Sequence, residues 1–227
     1  MSAAGREPVV VDGCAIATVD PAGTEYSTGH VVVSDGRITA LGAGPAPTLD
    51  GARHIDGRGC LATPGFVNTH HHLYQWLTRG YAPDGTLFEW LTALYPVWAH
   101  LDADLEYTAA SAGLAVLALS GCTTAMDHHY VFPESGGDLL AAEIEAARRI
   151  GVRFCATRGA MNLGRSSGGL PPDEVVEDAD RILTECESAV ASYHDDSFDS
   201  LLQVALAPCS PFSVTAELMR DCAEVAR

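Results

Sequence analysis

From residue 61 onward the chain alternates apolar strand-like runs with stretches of helical spacing, and that alternation limits the fold more than any other feature. Residues 61–69 read as a first strand. Residues 86–95 carry apolar side chains at helical spacing, with Pro96 expected to end or kink the helix. Asp102 is placed to cap a helix over 103–119, and Gly121 to close it. Further strands are expected at 122–127, 152–157 and 201–207, and further helices at 141–150, 173–193 and 216–227. Strands alternating with helices predict an α/β fold with a parallel sheet. Four such units are half of an eight-unit TIM-type barrel. Residues 61–227 are therefore expected to be the first half of such a barrel, and the chain an incomplete N-terminal portion. A complete small α/β domain with an open sheet is the alternative.

Residues 1–60 have a different texture. Short β-rich runs at 9–11, 14–19, 30–34 and 37–41 are punctuated by Asp12-Gly13 and Asp35-Gly36, both hairpin-type dipeptides. Residues 42–47 are a Gly/Pro loop. The expectation is part of a small domain of β-sandwich type. His30 and His54 stand alone and are expected to be structural or exposed.

With 47% hydrophobic and 19% charged residues among 227, the chain is globular in composition. Its formal charge is −17, and all 13 basic residues are Arg. So acidic a chain disfavours nucleic acid and anionic membrane surfaces as partners. No run approaches the ~18 apolar residues of a membrane span. The seven cysteines are odd in number and form no CxxC pair, which argues for a reducing compartment and against a disulfide framework. Met1 to Pro8 contain no apolar core of a signal peptide, and a cytoplasmic protein is expected. Nothing in the pattern fixes an oligomeric state, and an oligomer is compatible with it.

Chemistry concentrates at the ends of the expected strands. Pro64-Gly65-Phe66-Val67-Asn68-Thr69-His70-His71-His72 leads from a turn through a strand into three histidines. Side chains alternate along a strand, so His70 and His72 share a face and His71 takes the other. Two imidazoles side by side are half of a zinc-type site; a surface histidine cluster is the bland alternative. The other strand ends bring Asp127-His128-His129, Arg158-Gly159 and 208–212. Asp127 and His128 are either near the pocket or loop residues. His129 falls on the opposite face and is expected to carry no function. Arg158 is a pocket residue, a surface residue or the buried partner of a carboxylate. Trp90 and Trp98 are packing residues or a lid. His100 and His194 lie away from strand ends.

The first motif resembles the PGFxDxHxH pattern of the amidohydrolase superfamily, with Asn68 where many members have Asp. Taken in order, PGFVNTHHHLYQ, LFEWLTALYPVWAHL, SGCTTAMDHHYVFP, RGAMNLGRSSGGLPPD and LAPCSPFSVT resemble the 8-oxoguanine deaminases of its guanine deaminase and triazine hydrolase branch. That resemblance implies metal ligands His70 and His72, one divalent cation with zinc preferred, and a small purine-type substrate. It implies hydrolytic deamination, for 8-oxoguanine giving urate and ammonia, with the remaining ligands and the proton shuttle supplied by later strands. The fourth expected strand ends in Pro208-Cys209-Ser210, and the chain has no Lys, against a two-metal site bridged by a carboxylated Lys. Gln75 stands where related deaminases place a Gln against the purine, and its amide both donates and accepts. In the neighbourhood of Cys209, guanine deaminases have an Arg followed by Phe, and 8-oxoguanine deaminases have Cys. N7 of guanine accepts a hydrogen bond whereas N7 of 8-oxoguanine donates one, so Arg suits the first and a weakly accepting thiol the second. Gln75 as a loop cap and Cys209 as a small buried hydrophobe are the alternatives. A triazine or other aminoheterocycle hydrolase, and a non-catalytic half-barrel, remain the competing functions.

Overall fold

The computed structural model describes residues 7–227 and divides the chain into two units, Met1–Gly65 and Phe66–Arg227. The leader reading of Met1 to Pro8 falls mostly on residues outside that range. Among the described residues no helix is long and apolar enough to cross a membrane.

The first unit is one five-stranded sheet: β1 (Val9–Ala17), β2 (Glu25–Ser34), β3 (Arg37–Ala43), β4 (Arg53–Asp56) and β5 (Leu61–Ala62). Its order is β3-β2-β1-β4, and β5 pairs with the far end of β1. Asp35 and Gly36, with φ of 51° and 78°, form the left-handed turn joining β2 to β3. Asp12-Gly13 behaves differently from the hairpin its sequence suggests. Both residues lie inside β1, and the register with β2 shifts between Asp12 and Cys14. Gly13 takes φ 79°, so the dipeptide makes a bulge in a continuous strand rather than a reversal.

The second unit is α/β with an all-parallel sheet of order β6-β7-β8-β9. Its strands are β6 (Phe66–His71), β7 (Cys122–Asp127), β8 (Arg153–Ala160) and β9 (Leu202–Pro208). The helices are α1 (Leu87–Trp98), α2 (Ala103–Leu119), α3 (Leu139–Ile150), α4 (Ala179–Tyr193) and α5 (Ala216–Val225). The expected strand at 61–69 is in fact two, because Pro64-Gly65 interrupts it: Leu61–Ala62 joins β1, and Phe66–His71 opens the parallel sheet. The unit boundary accordingly follows Gly65 rather than residue 60.

Caps fix the helix starts. Asp102, Asp138, Asp178 and Thr215 each accept from first-turn backbone N–H groups, and Thr86 with Glu89 forms a capping box. Pro96 does not stop α1, which runs on to Trp98. The expected helix at 173–193 begins only at Ala179, because Pro171-Pro172 holds the preceding chain extended and a short 3-10 turn, Asp173–Val175, intervenes. Leu114, Ala125, Ile144, Phe154 and Val204 form the main core, under the parallel sheet and between α2 and α3. Leu94, Tyr95, Trp98 and Met161 form a second core near the ends of the strands.

Candidate metal centre and pocket

β6 delivers its histidines as strand geometry requires. The Nε2 atoms of His70 and His72 lie 3.1 Å apart. His71 turns to the other side, where its Nε2 accepts from the Trp76 indole N–H at 2.8 Å. Nδ1 of His72 lies 2.7 Å from the His128 carbonyl. A carbonyl only accepts, so Nδ1 carries the hydrogen and Nε2 is left with its lone pair toward His70. Burial, with help from the neighbouring imidazoles, pushes the His72 pKa down to about 4, which keeps the ring neutral. Two ring nitrogens at this separation match neighbouring donors on one cation, since zinc–nitrogen distances are about 2.0–2.1 Å. The pair therefore fits two of the ligands of a mononuclear site.

His128 braces the pair from the side. Its ring stacks on His70 at 4.3 Å between centroids, and its Nε2 donates to the Thr69 carbonyl at 3.2 Å. Beside these rings lies a cavity of about 320 Å³, lined by His70, His72, Gln75, Trp90, Tyr130 and Cys209 among others. Leu87, Leu91 and Phe212 complete its apolar wall, and Phe212 meets Phe88 edge-on at 5.3 Å. Gln75 donates to the Tyr74 hydroxyl at 3.3 Å. Cys209 sits just past β9, with its backbone N–H on the Ala160 carbonyl at 3.0 Å. Burial pushes its thiol pKa up, so the sulfur is neutral. Mostly apolar walls with a few polar groups are the composition of a small-molecule pocket.

Of the sequence-derived candidates, His70, His72, His128, Gln75 and Cys209 meet at this cavity. Arg158 does not. Its guanidinium grips Glu177 through both nitrogens, at 2.7 and 3.2 Å, and lies 3.8 Å over the Phe132 ring. Of the readings open for Arg158, the buried partner of a carboxylate is the one seen. Trp90 lines the cavity, whereas Trp98 is fully buried and donates to Thr78. His129, expected to be idle on the opposite face, is completely buried beside Glu106, Asp127 and Glu143. Nothing in the sequence reading singled out the two glutamates. A signal was there: Glu106 precedes Ala109, Ala110, Gly113 and Leu114, and Glu143 sits between Leu139 and Ala147, so each acid lies on its helix's buried stripe.

The amidohydrolase family profile matches residues 61–227, and the chain belongs to that family. It is 49% identical over 205 residues to an 8-oxoguanine deaminase of Pseudomonas aeruginosa, covering 88% of this chain and 45% of the relative. It is 36% identical over 225 residues to a hydroxydechloroatrazine ethylaminohydrolase of a Pseudomonas species, covering 93% and 47%. Among solved structures, the atrazine chlorohydrolase TrzN of Arthrobacter aurescens, crystallised with zinc, superposes with a TM-score of 0.89 at 30% identity, over 96% of this chain and 50% of its own. The chain spans about half the length of the curated relatives it matches.

Proposed function

We propose that this chain contributes the substrate pocket and two metal ligands of a metal-dependent deaminase acting on an aminopurine, with 8-oxoguanine as substrate and urate and ammonia as products. The observation that carries the proposal is the His70–His72 pair at the end of β6, opening on a cavity that holds Gln75 and Cys209. The likeness to the 8-oxoguanine deaminase supports the substrate class. A divalent cation, zinc by preference, supplies an acidified water and polarises the ring carbon when bound. The chain's own residues do the rest of the work within reach. The His128 carbonyl fixes the tautomer of His72. The apolar wall excludes water from the ring faces, and the Gln75 amide meets a ring edge of mixed polarity. The neutral Cys209 sulfur leaves room for, and weakly accepts from, a ring N–H where a guanidinium would oppose it.

The four parallel strands are, in this proposal, half of an eight-stranded barrel, and the first unit is part of an accompanying β domain. Seven free cysteines suit a reducing compartment such as the cytoplasm, and the acidic charge disfavours nucleic acid and anionic membranes. Triazine hydrolysis is the second reading, favoured by the likeness to TrzN. Assaying the complete protein with 8-oxoguanine, guanine and an aminotriazine side by side decides between them. Higher kcat/KM on 8-oxoguanine is expected; a preference for guanine or the triazine overturns the substrate assignment.

A further inference from the structure

Beneath the pocket, four ionisable side chains converge in the protein interior. Glu106 comes from the first turn of α2, Glu143 from the middle of α3, Asp127 from the last position of β7, and His129 from two residues beyond. All four are fully buried. One donor atom from each lies within 4.8 Å of the others. Asp127 Oδ1 accepts from the Leu73 N–H at 2.7 Å. Among the described residues, its other oxygen, both oxygens of Glu106 and of Glu143, and Nδ1 of His129 meet no hydrogen-bond partner from outside the cluster. We propose that Glu106, Asp127, His129 and Glu143 bind one divalent first-row transition-metal ion at a site separate from the His70–His72 pair.

Charge is the first ground. Three carboxylates in one buried cluster repel one another and are each desolvated, and a single imidazolium cannot balance them. A divalent cation can neutralise two. The second ground is His129. Its Nε2 lies 2.8 Å from the Val131 carbonyl, which accepts only, so Nε2 holds the hydrogen and Nδ1 presents a lone pair to the carboxylates in the neutral ring. A histidine ligand whose other nitrogen donates to a backbone carbonyl is the usual arrangement around a bound metal. Nδ1 lies 3.6 Å from Glu106 Oε2, too far for a good hydrogen bond. It is close to the separation of about 3.3 Å between two donors sharing an ion at about 2.1 Å.

Protons are the competing occupants. Burial raises the pKa of Glu143 well above the carboxylate range and that of Asp127 to about 6, so one shared proton satisfies that pair. Against the opposing effect of burial, Glu106 and Asp127 raise the His129 pKa, so the proton-only alternative also needs an imidazolium paired with Glu106 Oε2 at 3.6 Å, longer than the about 2.7–2.9 Å of a charge-assisted hydrogen bond. Three oxygens and one imidazole nitrogen favour Mn²⁺, Fe²⁺ or Zn²⁺ over softer ions. Through Asp127 and the Leu73 N–H, such an ion would hold the chain immediately after His72 in place.

The test uses the complete protein, equilibrated with Mn²⁺ or Zn²⁺, freed of loose metal by gel filtration and analysed by inductively coupled plasma mass spectrometry. The His70→Ala/His72→Ala variant removes the first site and is expected to retain close to one equivalent. Adding Glu143→Gln, nearly isosteric, is expected to lower that at least tenfold. No metal in the double variant, or full retention after Glu143→Gln, overturns the proposal. Should the Glu143→Gln variant fail to fold, thermal unfolding of the double variant decides. Mn²⁺ or Zn²⁺ should raise its Tm by several degrees over the chelated sample, and an unchanged Tm overturns the site.

Discussion

His71 and His72 are adjacent in the chain yet meet different neighbours, one an indole N–H and the other a backbone carbonyl beside the cavity. Substitution should separate them. In the complete protein, His70→Ala and His72→Ala should each cut metal retained at the pocket at least tenfold, while His71→Ala keeps it. Metal analysis beside the Glu143→Gln background reads this directly, and equal loss from all three would refute the assignment. Cys209 makes a second residue-scale prediction. Cys209→Arg should move the kcat/KM ratio of 8-oxoguanine to guanine toward guanine by at least about tenfold, because a buried polar mismatch discriminates strongly. An unchanged ratio would leave the sulfur as packing alone. The histidine pair was legible in sequence because strand periodicity is rigid, so residues two apart share a face. The Glu106–Glu143 cluster was not, because its members come from two helices and a strand end and meet only once those elements pack.

At the scale of elements, the chain just beyond β7 is held in close approach to the C-terminal part of β8. The Gly159 N–H donates to the His129 carbonyl at 2.9 Å, and a Cβ on Gly159 would collide with that same carbonyl. Gly159→Ala should therefore destabilise the protein by about 2 kcal/mol or more, read as a lower urea midpoint, and a wild-type midpoint would contradict the close approach. The Arg158–Glu177 pair is 5% and 4% exposed. Removing Glu177 alone should cost about 3–5 kcal/mol by stranding a buried guanidinium, with replacement of both residues by apolar side chains recovering much of the loss. A urea series over both single variants and the pair checks it. Most elements were readable from apolar spacing and caps, Asp102 before α2 being the plainest case. The misreading of Asp12-Gly13 as a reversal came from a strong local signal. Whether such a residue turns, bulges or rides inside an element is decided by the strand or helix it packs within, as β2 opposite Asp12 does.

For the molecule as a whole, the described residues hold two imidazole nitrogens placed to share a cation, His70 Nε2 and His72 Nε2, whereas catalytic zinc sites ordinarily use three protein ligands. The chain on its own is therefore expected to release no ammonia from 8-oxoguanine above background, and steady turnover by a homogeneous preparation would disprove this. One tie found at the pocket reaches further than its 2.7 Å length. His72 Nδ1 is held by the carbonyl of residue 128, not by the side chain there. Every amino acid brings the same carbonyl, so this anchor is invisible to mutation at position 128 so long as the backbone holds its course. Relatives can thus exchange the side chain there, and with it the stacking on His70, while inheriting the imidazole tautomer unchanged.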